Sequence, residues 1–134
     1  NKALNAPRPY GLALHHKHLP EMAAVTGLDT APNFVPVVAD YYAGMETMIP
    51  LDVTALGVSA PQVASALAEY YAGQPMIKVH PCARHGRRLF GANKLAGKDT
   101  LEIYCLANPD GTRMQLISCL TTSARAARAR QCSA

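Results

Sequence analysis

Between Tyr10 and Met22 the chain places a phenol, three imidazoles, an ammonium and a carboxylate: Tyr10, His15, His16, Lys17, His18 and Glu21. Only 16% of the chain is charged, so the concentration stands out. An imidazole titrating near neutral pH can give or take a proton, and a phenol or ammonium can donate to an oxyanion or a phosphate. If the chain enters a helix near Lys17, His18 and Glu21 lie three residues apart on one face, where the carboxylate can orient the ring. The plainer reading is a polar surface loop ahead of a helix, and spacing alone favours it. A native metal site is not expected. The three histidines are too close in sequence for three legs of one site without a helical i, i+4 pair, and no Cys or acidic residue completes a recognised spacing.

The surrounding elements must position these groups. Glu21 to Val25 reads as helix after Pro20, with Gly27 as its stop. Phe34–Ala39 and Met45–Leu51 are β-rich runs joined across residues 40–44, and Pro36 makes the first an edge strand or a bulged one. The clearest signal is a helix over 60–72. Ser59 and Gln62 form a capping-box pair, Pro61 lies in the first turn and Gly73 suits the left-handed C′ position. Val63, Leu67, Tyr70 and Tyr71 fall on one apolar face of it. Met76–Val79 reads as a strand, followed by a polar loop over 82–88. Leu101–Leu106 alternates, Asn108-Pro-Asp-Gly111 fits a type I turn, and Arg113–Leu120 returns as the partner strand. The fold class is α+β, a mixed and mostly antiparallel sheet with helices on one face and the other free for pairing.

With 134 residues, 49% of them hydrophobic, the chain has the size of one domain with a real core. No apolar run approaches the ~20 residues of a membrane span, and the polar, proline-broken start does not resemble a signal peptide. The absence of an initiator Met suggests a trimmed or internal segment. Cys82, Cys105, Cys119 and Cys132 form no C-x-x-C pair and read as reduced thiols of a cytoplasmic protein. Three of the four net positive charges reside in Arg125, Arg128 and Arg130, so the basicity belongs to the tail and nucleic acid is not an expected partner. No Gly-x-Gly-x-x-Gly or P-loop is present. Tyr41, Tyr42, Tyr70 and Tyr71 read as core and dimer-face residues rather than a platform for bases.

The ordered series Tyr10-x5-His16-Lys17-His18-x-Pro20-Glu21-Met22, Asn33-Phe-Val-Pro-Val-Val-Ala-Asp-Tyr-Tyr-Ala-Gly-Met45, Tyr70-Tyr-Ala-Gly-Gln-Pro-Met-Ile-Lys-Val79 and Gly91-Ala-Asn93 resembles the C-terminal domain of N-acetyl-gamma-glutamyl-phosphate reductases. These are NADPH-dependent oxidoreductases of arginine biosynthesis. The resemblance covers roughly residues 4–120. It implies a sheet related to the C-terminal domain of glyceraldehyde-phosphate and semialdehyde dehydrogenases, pairing through the sheet. It also implies that His16 stands at the acid/base histidine, Tyr10 at the substrate-side tyrosine, and His18 and Glu21 at the second histidine and the glutamate. Lys17 replaces the commoner Arg, keeping the charge but losing the bidentate fork of a rigid phosphate or carboxylate clamp. In the family an N-terminal domain binds NADP and supplies the cysteine nucleophile. Neither is found in this sequence, so no cofactor is expected for this chain alone and the family reaction is expected to need the missing domain.

Residues 121–134 depart from the family's Asp-Asn-Leu-Gly-Lys-Gly ending. A GC-rich coding sequence for that ending, read one base out of phase, yields Thr121-Thr-Ser-Ala-Arg-Ala-Ala-Arg-Ala-Arg-Gln-Cys-Ser-Ala134, so the tail reads as a frameshift product and as disordered. Two other functions stay open: hydrolysis by an exposed histidine cluster, and a non-catalytic oligomerisation module. A homodimer or higher oligomer is expected, paired through strands around Phe34–Leu51 or Leu101–Leu120.

Overall fold

The computed structural model describes residues 6–84 and 89–121. It divides into two compact units, Asn1–Tyr41 and Tyr42–Ala134. The basic tail beyond Thr121 lies outside the described residues, as do His85–Arg88 of the expected polar loop.

The first unit has three short elements: β1 (Arg8–Pro9), helix α1 (Leu19–Thr26) and β2 (Val37–Val38). β1 and β2 pair antiparallel, with Arg8 opposite Val38 and Pro9 opposite Val37. The β-rich run at Phe34–Ala39 thus shrinks to two paired residues, and its partner is β1 rather than the strand that follows. Pro36 lacks an N–H to give a ladder, but its carbonyl accepts from Tyr10 N at 2.9 Å. Helix α1 starts two residues before the expected Glu21, with Pro20 in its first turn, where a missing N–H costs nothing. Gly27 ends it in the left-handed conformation at φ 68°. No residue of α1 is buried.

The second unit, among the described residues, is a five-stranded sheet with one helix. Its strands are β3 (Met45–Asp52), β4 (Ile77–Val79), β5 (Ala83–Arg84), β6 (Leu101–Ala107) and β7 (Arg113–Leu120), and α2 covers Ala60–Tyr70. The spatial order is β3-β7-β6-β4, with β5 also on β6. β3–β7 and β6–β7 are antiparallel, whereas β4 and β5 run parallel to β6. The sheet is therefore mixed and mostly antiparallel, as the alternation suggested. The Asn108–Gly111 turn closes as expected, with Gly111 N donating to Asn108 O at 3.1 Å.

Each face of the sheet has its own core. On one face α2 packs Ala60 and Ala64 against Val53, Cys105, Ala107 and Met114, with Val63, Leu67, Val79, Cys82 and Leu116 at the margin. On the other, Leu95 is wholly buried against Tyr104, Ile117 and Cys119, with Phe90 and Leu106 beside it. Parallel neighbours need a crossover, and the segment carrying Phe90 and Leu95 leads into β6 on the face opposite α2.

Two details of α2 differ from expectation. The capping box is present, Ser59 N donating to Gln62 Oε1 at 2.8 Å and Gln62 N to Ser59 Oγ at 3.4 Å. However, the helix ends at Tyr70 with Tyr71 as its cap, so the left-handed Gly73 lies beyond the C′ position. Tyr70 turns outward, 79% exposed, and Tyr42 is fully exposed, so neither is a core residue. The buried stripe of α2 is made by alanines, whose small side chains let the helix lie close to the sheet.

Gly44 opens β3 under tight constraint. At φ 132° a Cβ there would stand 2.2 Å from Ala92 O and 2.7 Å from Asn93 Cα. Only glycine fits where these two backbones meet.

Candidate active site and the polar row of the sheet

Of the residues singled out between Tyr10 and Glu21, Tyr10, His16, His18 and Glu21 converge. A turn with Leu14 N on Gly11 O at 2.9 Å brings the chain back, with Leu14 itself at φ 56°. A left-handed leucine is uncommon and strained by about 1 kcal/mol; such strain is characteristic of segments whose shape is set by their site. The His16 ring meets Tyr10 edge-on at 5.8 Å and Phe34 edge-on at 5.1 Å, and lies 5.0 Å from the ring of His18. His16 is half-buried while His18, Lys17, Glu21 and Tyr10 are exposed.

The hydrogen bonds assign the imidazole chemistry. His18 N donates to His16 Nδ1 at 3.3 Å. That nitrogen therefore holds a lone pair, and the neutral ring keeps its proton on Nε2. His16 is set as a donor through Nε2. His18 Nδ1 lies 3.1 Å from Glu21 Oε2, the three-residue spacing expected of the helix start, although the pair is exposed and its energetic worth is small. Tyr10, His16, His18 and Glu21 are thus brought together. Lys17 is exposed and has no partner among the described residues.

A second polar cluster, missed in the sequence, lies on the face of the sheet opposite α2. Tyr104 donates its hydroxyl hydrogen to Glu102 Oε2 and accepts from Lys94 Nζ. Glu102 Oε2 is also 3.1 Å from His80 Nε2 and 3.6 Å from Lys94 Nζ. The His80 ring stacks on Tyr104 at 4.2 Å and 9°, with Phe90 on the phenol at 4.9 Å. The Tyr104 bond first, then those of His80 and Lys94, holds the Glu102 carboxyl below its ordinary range. Burial and the Glu102 bond raise the Tyr104 phenol, and the Tyr104 bond raises the Lys94 ammonium. The register sets Cys119 between Glu102 on one side and Glu46 on the other, and burial pushes its thiol up. Glu46 Oε2 is buried without a hydrogen-bond partner among the described residues. Glu102 and Tyr104 could have been read as i, i+2 neighbours on one strand face. His80 and Lys94 come from distant segments and left no local signal.

An open cleft of about 750 Å³ lies near the β6–β7 turn, lined by Pro50, Asp52, Leu106, Asn108, Arg113 and Gln115 among others. Arg113 Nη1 pairs with Asp52 Oδ2 there at 2.6 Å. Its lining holds no imidazole and no thiol, so proton transfer is better served at His16. Among the described residues no three His, Cys, Asp or Glu side chains are grouped to hold a metal ion, and no helix is long and apolar enough to cross a membrane. A dinucleotide does not fit either helix N-terminus. Ser59 and Gln62 satisfy that of α2 themselves, and α1 begins on Leu19-Pro20 without a glycine turn.

Comparison with known proteins gives the family of the chain. Residues 1–121 match the family model described as semialdehyde dehydrogenase, dimerisation domain. The chain is similar to an N-acetyl-gamma-glutamyl-phosphate reductase of Sinorhizobium fredii (strain NBRC 101917 / NGR234), 39% identical over 113 residues, which is 83% of this chain and 36% of that protein. The protein of that name from Rhizobium etli (strain CIAT 652) is 38% identical over 123 residues, 88% of this chain and 39% of its own length. A Sinorhizobium medicae (strain WSM419) relative of that name is 35% identical over 114 residues. The chain thus spans somewhat over a third of the curated relatives it matches. Its mixed sheet, its helices α1 and α2 and the matched residues 1–121 make this chain a member of the semialdehyde dehydrogenase dimerisation-domain family, resembling the C-terminal part of N-acetyl-gamma-glutamyl-phosphate reductases.

Proposed function

We propose that this chain supplies the acid/base and substrate-holding part of a reductase acting on an N-acetyl-glutamyl phosphate. The observation that carries this is the His16 arrangement: a half-buried imidazole wedged between Tyr10 and Phe34, its Nδ1 occupied by a backbone N–H. In the reductive direction an acyl carbon gains hydride and its oxygen gains negative charge, which a positioned N–H donor stabilises as the proton is delivered. On this reading His16 Nε2–H is that hydrogen-bond donor. Tyr10 helps to fix the ring's position, Glu21 orients His18, and the exposed Lys17 offers one point charge to the phosphate or side-chain carboxylate. The NADP and the thiol nucleophile belong on this reading to a separate nucleotide-binding domain. The descriptions of the relatives as reductases support the chemistry but do not put a nucleotide on this chain, and the starts of α1 and α2 are unsuited to one. By the same family reading the protein works in the cytoplasm.

The test uses the chain alone and in a chimera. Alone with NADP, phosphate and N-acetyl-glutamate semialdehyde, it is expected to give no turnover, while the semialdehyde shifts the His16 ring resonances. Joined to the nucleotide-binding part of the Sinorhizobium fredii relative, it is expected to reduce the acyl phosphate. His16→Asn should then cost about 10²- to 10⁴-fold in kcat. Turnover in the chimera that is indifferent to His16 would sink the reading. A hydrolase reading has less support, since the rings packed around His16, those of Tyr10, His18 and Phe34, bring it no serine or thiol nucleophile.

The family description supports self-association, and we infer that β3 takes part. Among the described residues it is an outer strand with one unpaired edge, and Met45, Met48 and Ile49 are exposed along it.

A further inference from the structure

We infer that Cys82 and Cys105 form an oxidant-sensitive thiol pair that closes to an intramolecular disulfide, with hydroperoxides as the reacting class. The strand register places them. Val79 faces Ile103 and Ala83 faces Leu106, so four steps along one chain match three along β6. His80 N donates to Ile103 O at 2.9 Å and its ring stacks on Tyr104, which fixes His80 opposite Tyr104. Pro81 is then the extra residue of a bulge, and Cys82, one position before Ala83, falls opposite Cys105. Parallel neighbours point to the same face, and both thiols do so: Cys105 is part of the buried cluster under α2 and Cys82 packs against it. Neighbouring strands are about 4.8 Å apart, inside the Cα separation of about 4.4–6.8 Å that a disulfide spans.

The two thiols differ in access. Cys105 is wholly buried and Cys82 half-buried, and both are free thiols here. Burial raises the Cys105 thiol, with the neighbouring Cys82 adding to the effect, so the buried partner does not start the chemistry. Cys82 gives up its thiol proton and its sulfur attacks a peroxide oxygen; the O–O bond breaks, Cys82 becomes a sulfenic acid, and the departing hydroxide takes that proton and leaves as water. Cys105 sulfur then attacks the Cys82 sulfur, the S–O bond breaks, and the Cys105 proton leaves with the hydroxide as a second water. Two thiols and one hydrogen peroxide give one disulfide and two waters. Cys119 takes no part, because it lies on the opposite face of the sheet.

The full chain treated with hydrogen peroxide at neutral pH, quenched with an alkylating reagent and digested, should give one peptide pair joined through Cys82 and Cys105. The intact mass should fall by two hydrogens, the midpoint of thermal unfolding should rise by several degrees, and dithiothreitol should reverse both. Cys119→Ser should leave the cross-link in place and Cys82→Ser should abolish it. Because Cys105→Ser could disturb the core, the peptide map of the unmodified chain decides the matter. Cys82 advancing to a sulfinic acid with Cys105 still alkylatable, or Cys82 joined to Cys132 or to a second copy, would overturn the pairing.

Discussion

At the residue scale, Glu102 shows how a few bonds fix a pH response. Its carboxyl is held below its ordinary value of 4.5 by Tyr104, His80 and Lys94. A depressed carboxyl stabilises the fold above its unfolded pKa, and that contribution disappears as pH falls through the folded value. Tyr104 and Lys94 are raised above 10.0 and 10.5, so their contributions hold below those values and fade as pH rises past them. Stability should therefore decline at both ends of the scale. Glu102→Gln should flatten the acid side: thermal midpoints measured between about pH 5 and about pH 3 should fall less steeply than in the unmodified chain. An equal slope would show that other carboxylates set the acid limit. Gly44→Ala is a different residue-scale experiment. The added methyl meets backbone rather than a flexible side chain, and a loss of about 2–4 kcal/mol in urea unfolding is expected.

At the scale of elements, what could be read in advance followed from how local the cause was. The capping box at Ser59 and Gln62, the stop at Gly27 and the turn at Asn108–Gly111 each depend on a few neighbouring residues, and each stands as expected. The cluster at Tyr10–Glu21 was legible for the same reason, since its four members lie within twelve residues. The run at Phe34–Ala39 failed because a strand needs a neighbour. Its alternation could not say that only Val37 and Val38 find one, or that β1 provides it. Tyr70 failed otherwise: it has the helical spacing of a core residue, but the contact with the sheet is carried by Ala60 and Ala64 with Val63 and Leu67. The Lys94–Tyr104–Glu102–His80 cluster depends on three segments meeting on β6 and had no local signature. Ser59→Ala removes the cap that satisfies α2 and should cost about 1 kcal/mol in chemical denaturation. A variant as stable as the parent would mean that packing on the sheet, not the cap, starts the helix.

At the scale of the whole molecule, β3 is the strand on which assembly should turn. Placing a carboxylate at its exposed Met48 should leave the core of the sheet intact and reduce self-association, so Met48→Asp should sediment as a smaller species than the parent at micromolar concentration. A parent chain that sediments as a monomer would remove the basis for that expectation. The same strand also sets a schedule. Among the described residues β3 pairs with β7 alone, Met45 facing Leu120 and Asp52 facing Arg113, so its partner is the last described strand and residues 53–112 lie between them. Contacts so far apart close slowly. During synthesis Met45–Asp52 emerges before β7 and waits unpaired until Leu120 has been made. The sheet is completed at its centre last, and a chain interrupted before Arg113 would carry an open strand seeking a substitute. Refolding should therefore be single-phased but unhurried, and more prone to aggregation when it starts from fragments than from the intact chain.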